Sequence, residues 1–394
     1  MLTAGIICEY IPFHLGHSGH IAKTRDALGQ DTAIICVMSG NFVQRGEPAI
    51  FNKHSRAEMA IRCGADLVIE LPAPFALSSA EGFAYGGVYL LHGLGICDYL
   101  SFGSESGEIK PLVDAASAMV SDEADECIVK FVKKGLPYAT ALQKAADEIM
   151  GEGSDVYRSP NNLLGIEYLK AIAACKSDIK PITVTRTGGA HDSDEGYSAS
   201  RVRNILLSGG EPWDLMPPEA VLVCKKEIED GRGPVSTKLC EVAMLSRLRA
   251  CADFSVLPDA SEGLDKRIAK FALTEATIED MLLKIKTKRY AMSRLRRMLM
   301  CATLGVTAQD TLNPPPYIRV LALNKVGMKV LSSARKKATI PIITKPASAL
   351  KMSGCTAEMF CKEVAVSDFY VISYQNEKWR TGGSEWKQSP IIIT

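Results

Sequence analysis

Short apolar runs alternate with helical stretches through the first hundred residues, and this pattern restricts the fold more than any other feature. Residues 2–8, 32–38, 65–71 and 96–102 read as buried strands. Residues 17–28, 55–63 and 79–91 between them read as helices. Strands joined by helices predict a parallel sheet with crossover connections. Such a sheet binds ligands at the carboxyl ends of its strands. The Gly-rich and polar clusters at 9–19, 39–46 and 103–107 fall there. Residues 108–150 read as further helices that insert into or cover the sheet. A helix at 162–174, a late strand at 182–186 and a helix from Ser198 follow. Gly209-Gly210-Glu211-Pro212 punctuates the chain. We therefore expect an α/β, Rossmann-like parallel-sheet domain over 1–210 and a mainly helical region over 211–394. The helices of the latter are expected at 218–230, 236–248, 262–285 and 290–303. After the stiff Asn313-Pro314-Pro315-Pro316, short strands and helices mix from Tyr317 onward.

Charge divides the same way. Residues 1–210 carry 18 Lys/Arg and 25 Asp/Glu, a net −7, and the remainder carries 28 and 20, a net +8. A basic half on a near-neutral protein suits a polyanionic partner. Its densest stretch is Lys284, Lys286, Lys288, Arg289, Arg294, Arg296 and Arg297, with Tyr290 among them. A solvated helix face gives the same pattern. No run of about 20 apolar residues is free of charge or Gly, so no membrane-spanning helix is expected. The start lacks a basic region and carries Glu9, so it does not read as a signal peptide. The twelve cysteines are scattered, without C-x-x-C or zinc spacing, and are expected to be small buried hydrophobes in a reducing cytosol.

Two motifs point to chemistry. His14-Leu15-Gly16-His17 follows the first strand and enters a helix. Gly16 allows close approach of backbone to a ligand. The helix N-terminus favours phosphate. Two imidazoles across a glycine can donate to charge building on an α-phosphate or a departing pyrophosphate. A metal site using His14, His17 and His20 is the rival reading. Ser198-Ala199-Ser200-Arg201-Val202-Arg203 opens the last helix of this half. Hydroxyls and an arginine there make a second oxyanion clamp, or an N-cap with solvated arginines. Lys23 is one turn beyond His20. Glu9 could orient an amine or a metal, or cap backbone. Arg45 could meet RNA phosphate or an acyl-adenylate.

H-x-G-H with the later Ser-x-Ser-x-x-Arg resembles the H-x-G-H nucleotidyltransferase superfamily. The likeness narrows through Gly5-Ile6-Ile7-Cys8-Glu9-Tyr10, Ser39-Gly40-Asn41-Phe42-Val43-Gln44-Arg45-Gly46-Glu47-Pro48-Ala49, Gly64-Ala65-Asp66-Leu67-Val68-Ile69-Glu70-Leu71-Pro72, Phe102-Gly103-Ser104-Glu105, Pro160-Asn161-Asn162 and Pro316-Tyr317-Ile318-Arg319. Together these resemble the bacterial tRNA(Met) cytidine acetate ligase family over nearly the whole chain.

The resemblance implies a cytoplasmic, ATP-dependent ligase. Acetate and ATP would give acetyl-adenylate and pyrophosphate. The wobble cytidine of elongator tRNA(Met) would then take the acetyl group, giving N4-acetylcytidine and AMP. His14, His17, Ser200 and Arg203 would be catalytic. ATP contacts carry over to Ile7, Cys8, Glu9, Tyr10, Ile11, Pro12, Phe13, His14, Leu15, Gly16, His17, Ser18, Gly19 and His20, and to Gly103, Asn162, Arg186 and Thr187. Lys288, Arg289, Arg294, Arg296 and Arg297 would bind RNA. Mg²⁺ is expected with ATP, without a protein ligand set. The family loop has Asn where this chain has Ile11 and Leu15, which removes two donors. The alternatives are a small-molecule adenylyltransferase of the same superfamily and a non-catalytic RNA-binding protein.

Overall fold

The computed structural model describes residues 1–136, 138–185, 198–352 and 354–394. Ten strands are formed among them: β1 (Thr3–Cys8), β2 (Ala33–Ser39), β3 (Phe42–Val43), β4 (Glu47–Pro48), β5 (Leu67–Leu71), β6 (Tyr99–Ser104), β7 (Lys180–Thr185), β8 (Ile318–Leu323), β9 (Ile342–Ile343) and β10 (Ile391–Ile392). The main sheet runs β10-β8-β5-β2-β1-β6-β7, with β9 also on β8. All of its pairings are parallel except β5–β8. β3 and β4 form a separate antiparallel hairpin.

The central strands are buried on both faces, as helix-covered parallel strands must be. In β2, Ile35 and Val37 enter one core while Ile34, Cys36 and Met38 enter the core on the other face. Helices Ala80–Gly93 and Pro160–Ala174 pack into the first core, and Lys53–Arg62 and Pro218–Glu229 into the second. From β1 the strand order proceeds through β2 to β5, then reverses through β6 to β7. The carboxyl ends of β1 and β6 therefore flank a topological switch point, where the helices on either side diverge and leave a crevice.

The expected strands appear within a few residues of their predicted limits, and the α/β, Rossmann-like class holds. Two details differ. The sheet draws on both sides of position 210, because β8 lies antiparallel beside β5. The helix expected at 262–285 is two, Leu264–Thr274 and Ile278–Ile285. Thr277 interrupts it by capping the second, its Oγ1 accepting the Asp280 N–H at 3.0 Å.

Helices Thr237–Ala250, Leu264–Thr274, Ile278–Ile285 and Met292–Leu304 share a third core, which also takes Phe42 of the hairpin and Phe369 and Tyr370 of the tail. Gly46, at φ +74°, closes the hairpin against this region: a Cβ there would lie 2.4 Å from the backbone of Arg296 and Arg297. Buried charges tie the tail to the sheet. Lys53 Nζ donates to Glu70 at 2.7 Å and pairs with Glu385 at 3.1 Å, and Arg319 pairs with Glu385 at 3.3 Å. All twelve cysteines are free thiols; four are buried, six half-buried, and Cys355 and Cys361 are exposed. Among the described residues no helix is long and apolar enough to cross a membrane.

Candidate functional site

The crevice at the switch point is a cleft of two connected lobes. One, of about 190 Å³, is lined by His14, Gly16, His17, His20, Lys23, Phe102, Gly103, Asn161, Tyr168 and Thr185, among others. The other, of about 210 Å³, is lined by Cys8, Glu9, Tyr10, Ile11, Arg45, Ser198, Ser200 and Arg203, among others. Ile7, His14, His17 and His20 border both.

The histidine turn is held by its own hydrogen bonds. His14 is the N-cap of helix Leu15–Leu28, and its Nδ1 accepts the Gly16 N–H at 3.0 Å. The His14 N–H in turn donates to His17 Nδ1 at 3.2 Å. The two rings stack with centroids 3.7 Å apart. A ring nitrogen that accepts a hydrogen bond carries no proton, so both rings hold theirs on Nε2. The cap thus sets both tautomers, and each ring keeps an Nε2–H donor at a helix N-terminus that already favours anions. Tyr10 supports the arrangement from a left-handed backbone, φ +47°. Its ring lies 4.7 Å from both Phe13 and His17. Strain of this kind is sustained only where the surroundings over-determine the conformation, as at a functional turn.

The second lobe is cationic. Ser198 caps helix Ala199–Leu207, its Oγ accepting the Arg201 N–H at 3.2 Å. Arg45 Nη1 donates to Ser200 Oγ at 3.4 Å. Burial lowers the pKa of the Arg203 guanidinium, while Glu47 opposes that shift; arginine stays charged regardless. The loop carrying Arg45 is fixed by Glu9, whose Oε1 accepts the Gln44 N–H at 2.7 Å and Ser39 Oγ at 3.3 Å. Burial pushes the Glu9 carboxyl up, and the Gln44 N–H and Arg56 hold it back. Glu9 therefore caps backbone. Lys23 bridges to the end of β7, donating to the Thr185 carbonyl at 2.6 Å. Among the described residues, no three His, Cys, Asp or Glu side chains are grouped to hold a metal ion.

Of the expected site residues, His14, His17, Ser200 and Arg203 converge on the second lobe, and Ile7, Cys8, Glu9, Tyr10, Ile11, Gly16, His20 and Gly103 also line the cleft. Phe13 is fully buried and lines neither lobe, its ring 5.4 Å from that of His17. Pro12, Leu15, Ser18 and Gly19 belong to the turn and first helical turn without lining either lobe. Asn162 is buried, its Oδ1 without a partner; its neighbour Asn161 lines the cleft and donates to Glu105 at 2.7 Å. Arg186 and Thr187 lie outside the described residues. Sequence reasoning missed Phe102, Asn161, Leu164, Tyr168 and Thr185 as lining residues. Phe102, Asn161 and Thr185 carried a signal, each lying next to an expected contact.

The expected RNA-binding residues separate into two sets. Lys288 and Arg289 are exposed. Arg296 pairs with Glu47 at 3.0 Å, Arg297 lies 3.8 Å from Asp259, and Arg294 donates to the Asp259 carbonyl at 2.8 Å and to Ser261 Oγ at 2.7 Å. Arg294 and Arg297 thus tie helix Met292–Leu304 to the loop at 259–261, and Arg296 ties it to the hairpin.

A family model described as HIGH Nucleotidyl Transferase matches residues 1–385. The tRNA(Met) cytidine acetate ligase of Acetivibrio thermocellus is 38% identical, over 100% of this chain and 100% of the relative. That of Caldicellulosiruptor saccharolyticus is 38% identical, over 100% and 99%. A crystal structure of Thermotoga maritima TmcAL bound with alpha-thio ATP superposes with a TM-score of 0.92, at 32% identity and with both chains fully covered.

Proposed function

We propose an activity from one premise: the chain belongs to the HIGH nucleotidyl transferase family, among the tRNA(Met) cytidine acetate ligases. It is an ATP-dependent ligase that activates acetate as acetyl-adenylate. It then transfers the acetyl group to the wobble cytidine of elongator tRNA(Met), forming N4-acetylcytidine, AMP and pyrophosphate. A tRNA substrate implies a cytoplasmic protein.

The pair of Nδ1-anchored histidines at the switch point carries this reading. With the α-phosphate at the junction of the lobes, the Nε2–H groups of His14 and His17 donate to charge that grows as the acetate oxygen attacks phosphorus. They are oriented beforehand, so little reorganisation is needed at the moment of reaction. Arg203, Ser200 and Arg45 take the β- and γ-phosphates and the departing pyrophosphate. The nucleoside lies in the lobe with Gly103, Phe102 and Asn161, and the orphaned Asn162 Oδ1 suits a donor on the base or ribose. Mg²⁺ would accompany the triphosphate and supply charge neutralisation there, without a ligand set from this chain's described residues. The helical part of residues 211–394 receives the tRNA, with Lys288 and Arg289 meeting phosphate.

The test is incubation with ATP, labelled acetate and total tRNA. Label in tRNA, recovered as N4-acetylcytidine, is the expected result. ATP turnover without label would support a small-molecule adenylyltransferase. Neither, with tRNA still retained, would support a non-catalytic RNA-binding protein.

A further inference from the structure

We propose that Gly46 is a positioning residue for the adenylation step: lying flat on helix Met292–Leu304, it fixes the tip of the β3–β4 hairpin and with it the approach of Arg45 to the triphosphate. The inference rests on the ligase reading above, in which Arg45 meets the β- and γ-phosphates. The hairpin is clamped from three directions. At the sheet, Glu9 Oε1 accepts the Gln44 N–H at 2.7 Å. At the tail, Asn41 Nδ2 donates to Ser367 Oγ at 3.3 Å, and the Tyr370 hydroxyl donates to the Ala49 carbonyl at 2.7 Å. At the helical region, Phe42 is buried in the third core and Glu47 pairs with Arg296 at 3.0 Å. Arg45 lies in the turn between these contacts and lines the second lobe, its Nη1 donating to Ser200 Oγ. The clamp fixes the backbone that carries Arg45, whatever else its side chain touches.

Gly46 closes the turn, its N–H donating to the Val43 carbonyl at 2.9 Å, at a φ of +74° that glycine tolerates and other residues resist. It is buried. The space for a Cβ is filled by the backbone of Arg296 and Arg297, 2.4 Å away, and not by a side chain that could swing aside. A Cβ there would have to retreat by about 1 Å to reach ordinary carbon–carbon contact. Arg45 is joined to Gly46 by a single planar peptide unit, so a shift of that size reaches it almost undiminished.

In adenylation the acetate oxygen bonds to the α-phosphorus. The bond from that phosphorus to the bridging oxygen breaks, and its electron pair leaves with pyrophosphate. Charge therefore grows on the side of the triphosphate where Arg45 and Arg203 lie in this reading. Preorganised groups stabilise that charge only from the right place, and a misplacement of about 1 Å costs about 10²-fold in rate. Glu47 serves the same placement. It pairs with Arg296 on the helix and supports the charge on Arg203, which lines the lobe. A contact between the hairpin and the helical region thus sets the geometry of a group that acts on ATP.

The test is a mutant cycle in acetate-dependent pyrophosphate exchange. Gly46→Ala should lower kcat by about 10²-fold. In an Arg45→Ala background the same substitution should cost less than about threefold, because the group it displaces is gone. Gly305→Ala is the matched control: Gly305 ends the same helix at φ +70°, and an added Cβ there meets nothing within 4 Å. It shares the backbone strain without the displacement, so it should lower the urea midpoint and leave exchange unchanged. Should Gly46→Ala fail to fold, Arg296→Gln loosens the same contact through a half-exposed pair, and should lower exchange about two- to fivefold, again only when Arg45 is present. Losses that multiply across the cycle, or an equal loss in Gly305→Ala, overturn the proposal. A native protein without acetate-dependent exchange would overturn the ligase reading instead. Calorimetric titration with ATP then reads the clamp on its own: Gly46→Ala, or Arg296→Gln in its place, should weaken ATP binding beside Arg45 and not beside Arg45→Ala, and equal weakening in both backgrounds would overturn it.

Discussion

Arg56→Met should cost the fold about 3–5 kcal/mol, the range for removing one partner from a buried charged array. Arg56 has no exposed surface. Its Nε donates to the Phe51 carbonyl at 3.0 Å, Nη1 to Glu9 at 2.5 Å, and Nη2 to Ser39 at 3.0 Å and to Gly40. Methionine matches the length of the side chain but leaves four acceptors without this donor. At about 1–3 kcal/mol for each buried acceptor, the gross loss is large, and relief from burying a charge offsets part of it. The guanidinium feels that burial, which lowers its pKa. Because Glu9 follows β1 and Ser39 ends β2, the damage falls on the floor of the cleft. Arg56→Lys keeps the charge but cannot span the four carbonyls, and should fall between. Urea denaturation at neutral pH, with the m-value checked for constancy, gives the number. A loss below about 1 kcal/mol would refute the claim that this guanidinium joins the two strand ends.

Three further outcomes are expected. His17→Ala should lower acetate-dependent pyrophosphate exchange by about 10²–10⁴-fold, with tRNA retention on filters little changed. Lys288→Ala with Arg289→Ala should weaken tRNA binding and reduce its salt slope by about 2, leaving exchange intact; adding Arg296→Ala should lower stability as well, through the lost Glu47 pair. The Glu363 carboxyl is pushed up to about 8 by burial, then by Glu70, against Lys53 and the Ala73 N–H. Its folded pKa exceeds the ordinary 4.5, so its contribution is complete below 4.5 and declines as pH rises to about 8. Glu363→Gln, whose amide oxygen can still accept the Ala73 N–H, should therefore gain about 1–3 kcal/mol over the native protein at pH about 8.5, read by urea midpoints across that range; no gain would show that Glu363 ionises freely.

Much of the sheet was legible because its signal is local. The runs that became β1, β2, β5, β6 and β7 are apolar, bounded by Gly or polar residues, and separated by helical periodicity. The partner of β8 was not legible. Ile318–Leu323 reads as a buried strand, but nothing within it states that it pairs antiparallel with β5, some 250 residues earlier. Arg319 even argues against a central position, and only the distant Glu385 makes its burial tolerable. The same limit explains the basic stretch. Seven cations without an acid among them look solvated when counted along the chain. In space, Glu47 and Asp259 come from a hairpin and a loop far off in sequence, and they claim Arg296, Arg297 and Arg294.

The site shows the complementary case. Its motif was legible because both histidines lie within one turn, so the sequence alone specifies their mutual geometry. The tautomers of His14 and His17 follow from a capping box that four consecutive residues complete. The setting of His20 does not, because its Nε2 lies 3.0 Å from the Oγ of Ser101, on a strand about 80 residues away. Spacing within a helix can therefore reveal the groups that stabilise charge. The partner of the third imidazole is defined only when β6 is laid beside the helix it supports, and that placement is a property of the sheet order rather than of the motif.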